Sequence, residues 1–199
     1  MTTTRREFVI GTGATLSAAS LGAEAAVANH DKSVEKLLAG FAEELLVEYP
    51  ESSTLLGIDN GARAGLKRKL SDRSAAGQKA IALGVSRRLE QLKSIDTAKL
   101  GAAARIDVDV MRTAHEFALE GLAFPYGDVA LLDSQWSWRN APYVVAQNTG
   151  AFLEIPSMLD EQHTVQTRED ADAYLSRLEA TRDSSTGKLA ACRVRRRRT

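Results

Sequence analysis

The sequence predicts a mostly α fold. Apolar residues recur at helical spacing over several separate stretches, Ala and Leu are frequent, and only four prolines occur in 199 residues. A hydrophobic content of 44% and a charged content of 26% are ordinary for a soluble globular chain. The expected architecture is a helical, bundle-like fragment with an irregular segment rich in Gly, Pro and aromatics at about 121–160.

The first 28 residues read as an address label. Thr4-Arg5-Arg6-Glu7-Phe8 opens a mild apolar run that reaches about Leu21 and contains Gly11, Gly13 and several hydroxyl residues. The run is too short and too polar to span a bilayer, which takes about 20 apolar residues. Ala26-Val27-Ala28 places small residues at alternate positions, the pattern a signal peptidase accepts. The segment predicts a twin-arginine signal, with Arg5, Arg6 and Phe8 read by the export machinery and Ala26 and Ala28 defining cleavage before Asn29. The expected location is the periplasm or the exterior, with no stable membrane anchor.

Residues 33–48 form the first predicted helix of the mature part. Val34, Leu37, Leu38, Phe41 and Leu45 share one face, Asp31 or Ser33 caps the start, and Pro50 stops it. Pro50 to Gly57 predicts a short helix, and Asn60-Gly61 a turn. A long helix is expected over 71–94, capped by Ser71 or Asp72, with Ile81, Val85, Leu89, Leu92 and Ile95 inside. The next is expected over 97–120, with Ala103, Val110, Ala114, Phe117 and Ala118 as its apolar face. Arg105, Asp109, Arg112, Glu116 and Glu120 then form a solvated charge ladder. Gly121, Pro125, Gly127, Pro142, Gly150 and Pro156 break the following stretch. A last helix is expected over 167–181, capped by Thr167 with Glu169 and Asp170 in its first turn.

Residues 182–199 carry seven Lys or Arg and one Asp. The whole chain is neutral and residues 1–28 balance themselves, so residues 29–181 carry −6. An acidic body has no electrostatic footprint for nucleic acid. The basic run repels itself and predicts a disordered tail. The three regions are thus 1–28, 29–181 and 182–199. A single cysteine, Cys192, excludes an internal disulfide and a Cys-built zinc site.

His115-Glu116 lacks the second histidine of a zincin helix, since position 119 is Leu. His115 reads as a helix-edge residue. Ser33-x-x-Lys36 and Ser185-x-x-Lys188 lack the companion motifs of a serine–lysine site. Asp107 falls among Val110, Ala114 and Ala118 on the predicted apolar face and there needs a partner. Trp136, Trp138, Arg139, Gln147 and Asn148 sit in the Gly- and Pro-broken segment, where a stacking face and a carboxylate clamp come together. Asp107 and these five are the candidate binding residues. No catalytic residue and no metal ligand is assigned.

The stretches PESSTLLG at 50–57, RIDVDV at 105–110, YVVAQNTG at 143–150 and Ile155-Pro156 resemble the N-terminal part of the bacterial domain-of-unknown-function family 885. The resemblance covers roughly residues 35–181. It implies a longer, largely helical, exported protein. A His-Glu-x-x-Pro-Gly-His-type motif in the distal half of such relatives implies a metallopeptidase-like zinc site that acts on a peptide or small-molecule substrate. That motif is absent here, so zinc is implied only for the full-length relatives and no cofactor for this chain. The family-like text stops near Ala180, inside a helix, and a frame shift in a GC-rich gene gives an arginine-rich continuation of this kind. The resulting expectation is a truncated N-terminal fragment of an exported hydrolase, without activity of its own. The alternative is a small periplasmic helical module that binds a ligand or partner.

Overall fold

The computed structural model describes residues 5–124, 127, 129–132, 147 and 150–195, with side chains described over 24–124, 127, 129–132, 147 and 150–181. It is mostly α, and no strand occurs among the described residues. The helices are α1 (Arg5–Glu48), α2 (Pro50–Leu55), α3 (Ala75–Lys93), α4 (Ala102–Leu122), α5 (Ala151–Glu161) and α6 (Arg168–Arg195). Two 3-10 segments, Gly61–Arg68 and Thr97–Lys99, precede α3 and α4.

α1, α3 and α4 form one bundle. Val34 and Phe41 of α1, Leu92 of α3, Leu100 of the connection before α4 and Val108 of α4 make the core at one end. Leu45, Tyr49, Ile81, Val85, Ala118 and Ala130 make it at the other. The predicted stripes of α1 and α3 are therefore the buried ones. The second layer is smaller. α5 and α6 pack around Ile155, Met158 and Leu159, with Leu70 and Tyr174 against them. α2 and the 3-10 segment Gly61–Arg68 join the layers: α2 touches α1 and the 3-10 segment, which in turn touches α6.

Local chemistry sets the ends. Gly57 takes a left-handed φ of 66° after α2, which lets its N–H reach Thr54 O and the Ile58 N–H reach Ser53 O. That pairing is a Schellman closure. At α6, Thr167 Oγ1 accepts from Asp170 N while Asp170 Oδ2 accepts from Thr167 N, a reciprocal capping box.

Several expected boundaries are corrected. The cap of α3 is Ser74, whose Oγ accepts from Gly77 N at 3.1 Å; Ser71 instead donates to Glu51 from both its amide and its hydroxyl. The stretch 97–120 is two elements, because Leu100 turns extended to enter the core and Gly101 starts α4. Residues 151–161, expected to be irregular, are helical. Pro156 removes one helical N–H there, but it lies on the exposed face, where water satisfies the freed carbonyl. The backbone of α6 continues to Arg195, beyond the expected end at 181.

Leu92 is fully buried at the meeting of α1, α3 and α4, whereas Leu83 on the same helix is 65% exposed. We expect Leu92→Ala to cost about 3 kcal/mol and Leu83→Ala to stay within about 0.5 kcal/mol, measured as shifts in the urea unfolding midpoint.

Candidate functional site

Four buried residues of the described structure form two centres, each built on an arginine and a histidine; a further buried arginine, Arg73, pairs with Glu154 at 2.6 Å. The first lies inside the α1–α3–α4 bundle. Arg88 of α3 is fully buried. Its Nη1 and Nη2 donate to the two oxygens of Glu48 at 2.8 and 2.9 Å, and Nη1 also reaches Glu44 at 3.1 Å. Its Nε donates to His115 Nε2 at 3.2 Å. Glu48 can come this close because position 84 is glycine: a Cβ there would stand 2.7 Å from Glu48 Oε1. The other ring nitrogen of His115 lies 2.7 Å from Met111 O. A carbonyl only accepts, so Nδ1 carries the proton and Nε2 offers its lone pair to Arg88.

The second centre ties the two layers. Arg177 of α6 is also fully buried, yet no carboxylate among the described residues touches it. Its Nε donates to Lys69 O at 3.0 Å. Nη1 faces His163 Nδ1 at 3.0 Å and Met158 Sδ at 3.6 Å. Nη2 donates to Thr54 Oγ1 at 2.7 Å and to Leu66 O at 3.3 Å. Thr54 passes its own proton to Asp59 Oδ2 at 2.7 Å, so the nearest relay to a negative charge runs through a hydroxyl. His163 Nε2 lies 3.0 Å from Asp170 O, which again places the proton there and leaves Nδ1 to accept from Arg177.

The electrostatics follow from burial. Burial is the main cause that lowers the pKa of His115, opposed by the Met111 carbonyl and assisted by Arg88. His163 is lowered in the same way, by burial first and then by Arg177 and Lys67. Burial also lowers Arg177, against the attraction of Glu51 and Asp59. For Arg88 burial is likewise the largest influence, but Glu48 and Glu44 together outweigh it and the net shift is upward. Lys67, 2.5 Å from Asp170, holds that carboxyl well below the usual range, together with Thr167 and the amides of Gln166 and Thr167.

Few of the sequence-predicted site residues meet at these centres. Asp107 is exposed, not seated on an apolar face. The buried side of α4 is Ala104, Val108, Met111, His115, Ala118 and Leu122, which shares only Ala118 with the predicted stripe and leaves Ala103, Val110 and Phe117 exposed. His115 is therefore central and not at the helix edge. Of the charge ladder, Arg112 folds back to donate to Leu92 O and Ile95 O, and Arg105 to Thr97 O and Leu100 O. Gln147 is an exposed turn residue, while Trp136, Trp138, Arg139 and Asn148 lie outside the described residues. Arg5, Arg6 and Phe8 are in α1, where only the backbone is described; Ala26 and Ala28 are exposed on the same helix. Arg88, His163 and Arg177 escaped the sequence reading. The available signal was an arginine set directly on an apolar stripe, as Arg88 is beside Leu89 and Leu92, and Arg177 beside Ala173 and Tyr174.

A lysine at 177 carries three donors on one nitrogen and cannot reach acceptors spread over four elements. We expect Arg177→Lys to lower stability by roughly 2–4 kcal/mol, with Arg87→Ala, at an exposed ion pair, within about 0.5 kcal/mol; urea titration with circular dichroism reads both. The histidines predict a pH effect. Their folded-state values lie below the ordinary imidazole value near 6.5. The unfolded chain thus takes up protons first, so stability is complete above about pH 6.5 and declines as pH falls below it. His163→Asn keeps an acceptor without titrating, and we expect it to flatten that decline between about pH 6.5 and 5.

No curated protein and no solved structure matches the chain. The sequence pattern of a family described as "Bacterial protein of unknown function (DUF885)" matches residues 50–198. The match takes in α2 to α6, both arginines, both histidines and the basic stretch after 181 that the sequence reading set apart. Well over half of the chain is covered, and the protein belongs to the DUF885 family.

Proposed function

We propose that this chain is the N-terminal helical part of an exported, metallopeptidase-like hydrolase, a scaffold that does not catalyse on its own. The observation that carries the reading is the state of the two buried histidines. Each has one ring nitrogen donating to a backbone carbonyl and the other accepting from an arginine. A general base needs a lone pair within reach of a substrate proton, and a zinc ligand needs one to donate. Neither His115 nor His163 has one to give. The zinc implied by the family resemblance therefore does not fit the described residues, among which no three His, Cys, Asp or Glu side chains gather. The chemistry would come from the distal half of longer relatives.

The described core is compatible with removal of the leader. Residues 24–30 are all exposed, and Val34 is the first buried side chain described. Asp31, whose Oδ1 accepts from Gly101 N at 3.0 Å, lies beyond the expected cut. Cleavage after Ala28 removes none of the described core. Among the described residues, no helix is long and apolar enough to cross a membrane.

The test is to express the chain with its leader and recover it from the periplasmic fraction. Expected are an N-terminus at Asn29, retention in the cytoplasm when Arg5 and Arg6 are both changed to lysine, no bound zinc, and no hydrolysis of peptide or ester substrates. One zinc per chain with turnover would overturn the scaffold reading; export of the double-lysine variant would overturn the route.

A further inference from the structure

The outer face of α4 carries an apolar stripe that the fold leaves in water. Ile106, Val110 and Phe117 are 62%, 60% and 68% exposed. At 100° per residue they lie within about 40° of one another, opposite the buried side that holds Val108 and His115. Such a row, spanning about 16 Å of helix, is the pattern that one helix presents to another. It stands apart from the two arginine centres, and it does not depend on the hydrolase reading.

Its rim has one sign. Asp109, Glu116 and Glu120 run along one flank, and Asp107 stands on the other. The carboxylates of Glu120 and Asp107 make no ion pair or hydrogen bond among the described residues, and the contacts of Glu116 to Lys93 and of Asp109 to Arg112 are long, at 3.8 and 3.6 Å. The basic residues of the helix offset this rim little, because Arg105 and Arg112 direct their hydrogen bonds to backbone carbonyls from Leu92 to Leu100, and Arg112 keeps only the long contact to Asp109. The face is thus apolar in the middle and acidic at both edges.

We infer that this face docks an amphipathic helix of another polypeptide, one whose apolar stripe is flanked by lysines and arginines. The charges select this occupant. A second copy docked face to face through α4 would bring the same carboxylates together, which an isologous contact cannot avoid. An anionic lipid surface or a nucleic acid meets the same repulsion. A helix with basic flanks instead pairs with the rim, while its apolar row covers Ile106, Val110 and Phe117.

Fluorescence anisotropy with a labelled synthetic helix of about 18 residues, carrying a leucine stripe and lysine flanks, tests the inference on the purified chain. Two control peptides replace lysine by glutamate or scramble the stripe at fixed composition. The lysine peptide should bind saturably and more weakly as salt rises. V110E and F117E, at solvent-exposed positions, should each weaken it by about tenfold or more, about 1.4 kcal/mol, with unchanged circular dichroism. Equal binding of the scrambled peptide, or no loss in either variant, overturns the proposal. So does a concentration-dependent dimer in sedimentation that F117E dissolves, since it assigns the stripe to a second copy.

Discussion

A guanidinium buried in the join between two helical layers brings five N–H donors with it, and each needs an acceptor that water no longer supplies. At Arg177 those acceptors come from α2, from the end of the 3-10 segment Gly61–Arg68 and the residue after it, from α5 and from the loop before α6. Few of these elements are large enough to bury much of their own surface: α2 has six residues and α5 eleven. Their mutual positions depend on a directional set of bonds as well as on apolar area. The planar fork of one arginine fixes several distances and angles together, where a leucine of similar bulk would fix none. The capping boxes and closures around it serve the same end. Gly57 closes α2 so that Thr54 faces inward, and the Thr167–Asp170 box holds the Asp170 carbonyl where His163 can donate to it.

The two arginine centres solve one problem by different means. Arg88 meets carboxylates, so its charge is neutralised locally and burial does not lower its affinity for the proton. Arg177 meets neutral acceptors, and its nearest carboxylates, Glu51 and Asp59, act only at a distance or through Thr54. In both, the guanidinium donates to an imidazole, and a carbonyl on the far side of the ring fixes the tautomer that permits it. A protonated ring has no lone pair to accept with and brings a second positive charge to within about 3 Å. Each centre therefore holds its histidine neutral by geometry as well as by burial. The same bonds remove these histidines from the pool of available bases, which is why a histidine count says little about catalysis in this chain.

Helices with unbroken apolar stripes were legible in the sequence. The buried rows of α1 and α3 contain Leu, Val, Ile and Phe at regular spacing, and nothing competes with them. α2 was legible through Pro50 and Gly57, and the start of α6 through Thr167. α5 was hidden because Pro156 and Gly150 read as breakers, although a proline costs a helix little when the carbonyl it orphans faces solvent. The arginine centres were hidden for a related reason. Hydropathy treats Arg88 and Arg177 as outward residues, and only their partners, 40 residues away for Glu48 and 123 for Thr54, reverse that assignment. Separations of this kind leave no trace in local periodicity.

α4 is the case where two faces competed. One carries Ile106, Val110 and Phe117; the other mixes Val108, Met111, Leu122 and two alanines with a histidine. Hydropathy alone favours the first, because the second holds a histidine. The fold buries the second, because His115 must reach Arg88, because Ala104 and Ala118 let α4 approach α1 and α3 closely, and because Arg105 and Arg112 must turn toward carbonyls from Leu92 to Leu100. Those polar bonds outweigh an alternative orientation whose gain is non-directional, since turning α4 over would take away the partners it gives to Arg88 Nε and to the carbonyls of Leu92, Ile95, Thr97 and Leu100, at about 1–3 kcal/mol for each buried group left unpaired. The row of Ile106, Val110 and Phe117 is thus left outside as a consequence of satisfying the interior. A surface arranged in this way remains open to a partner that matches both its stripe and its acidic rim.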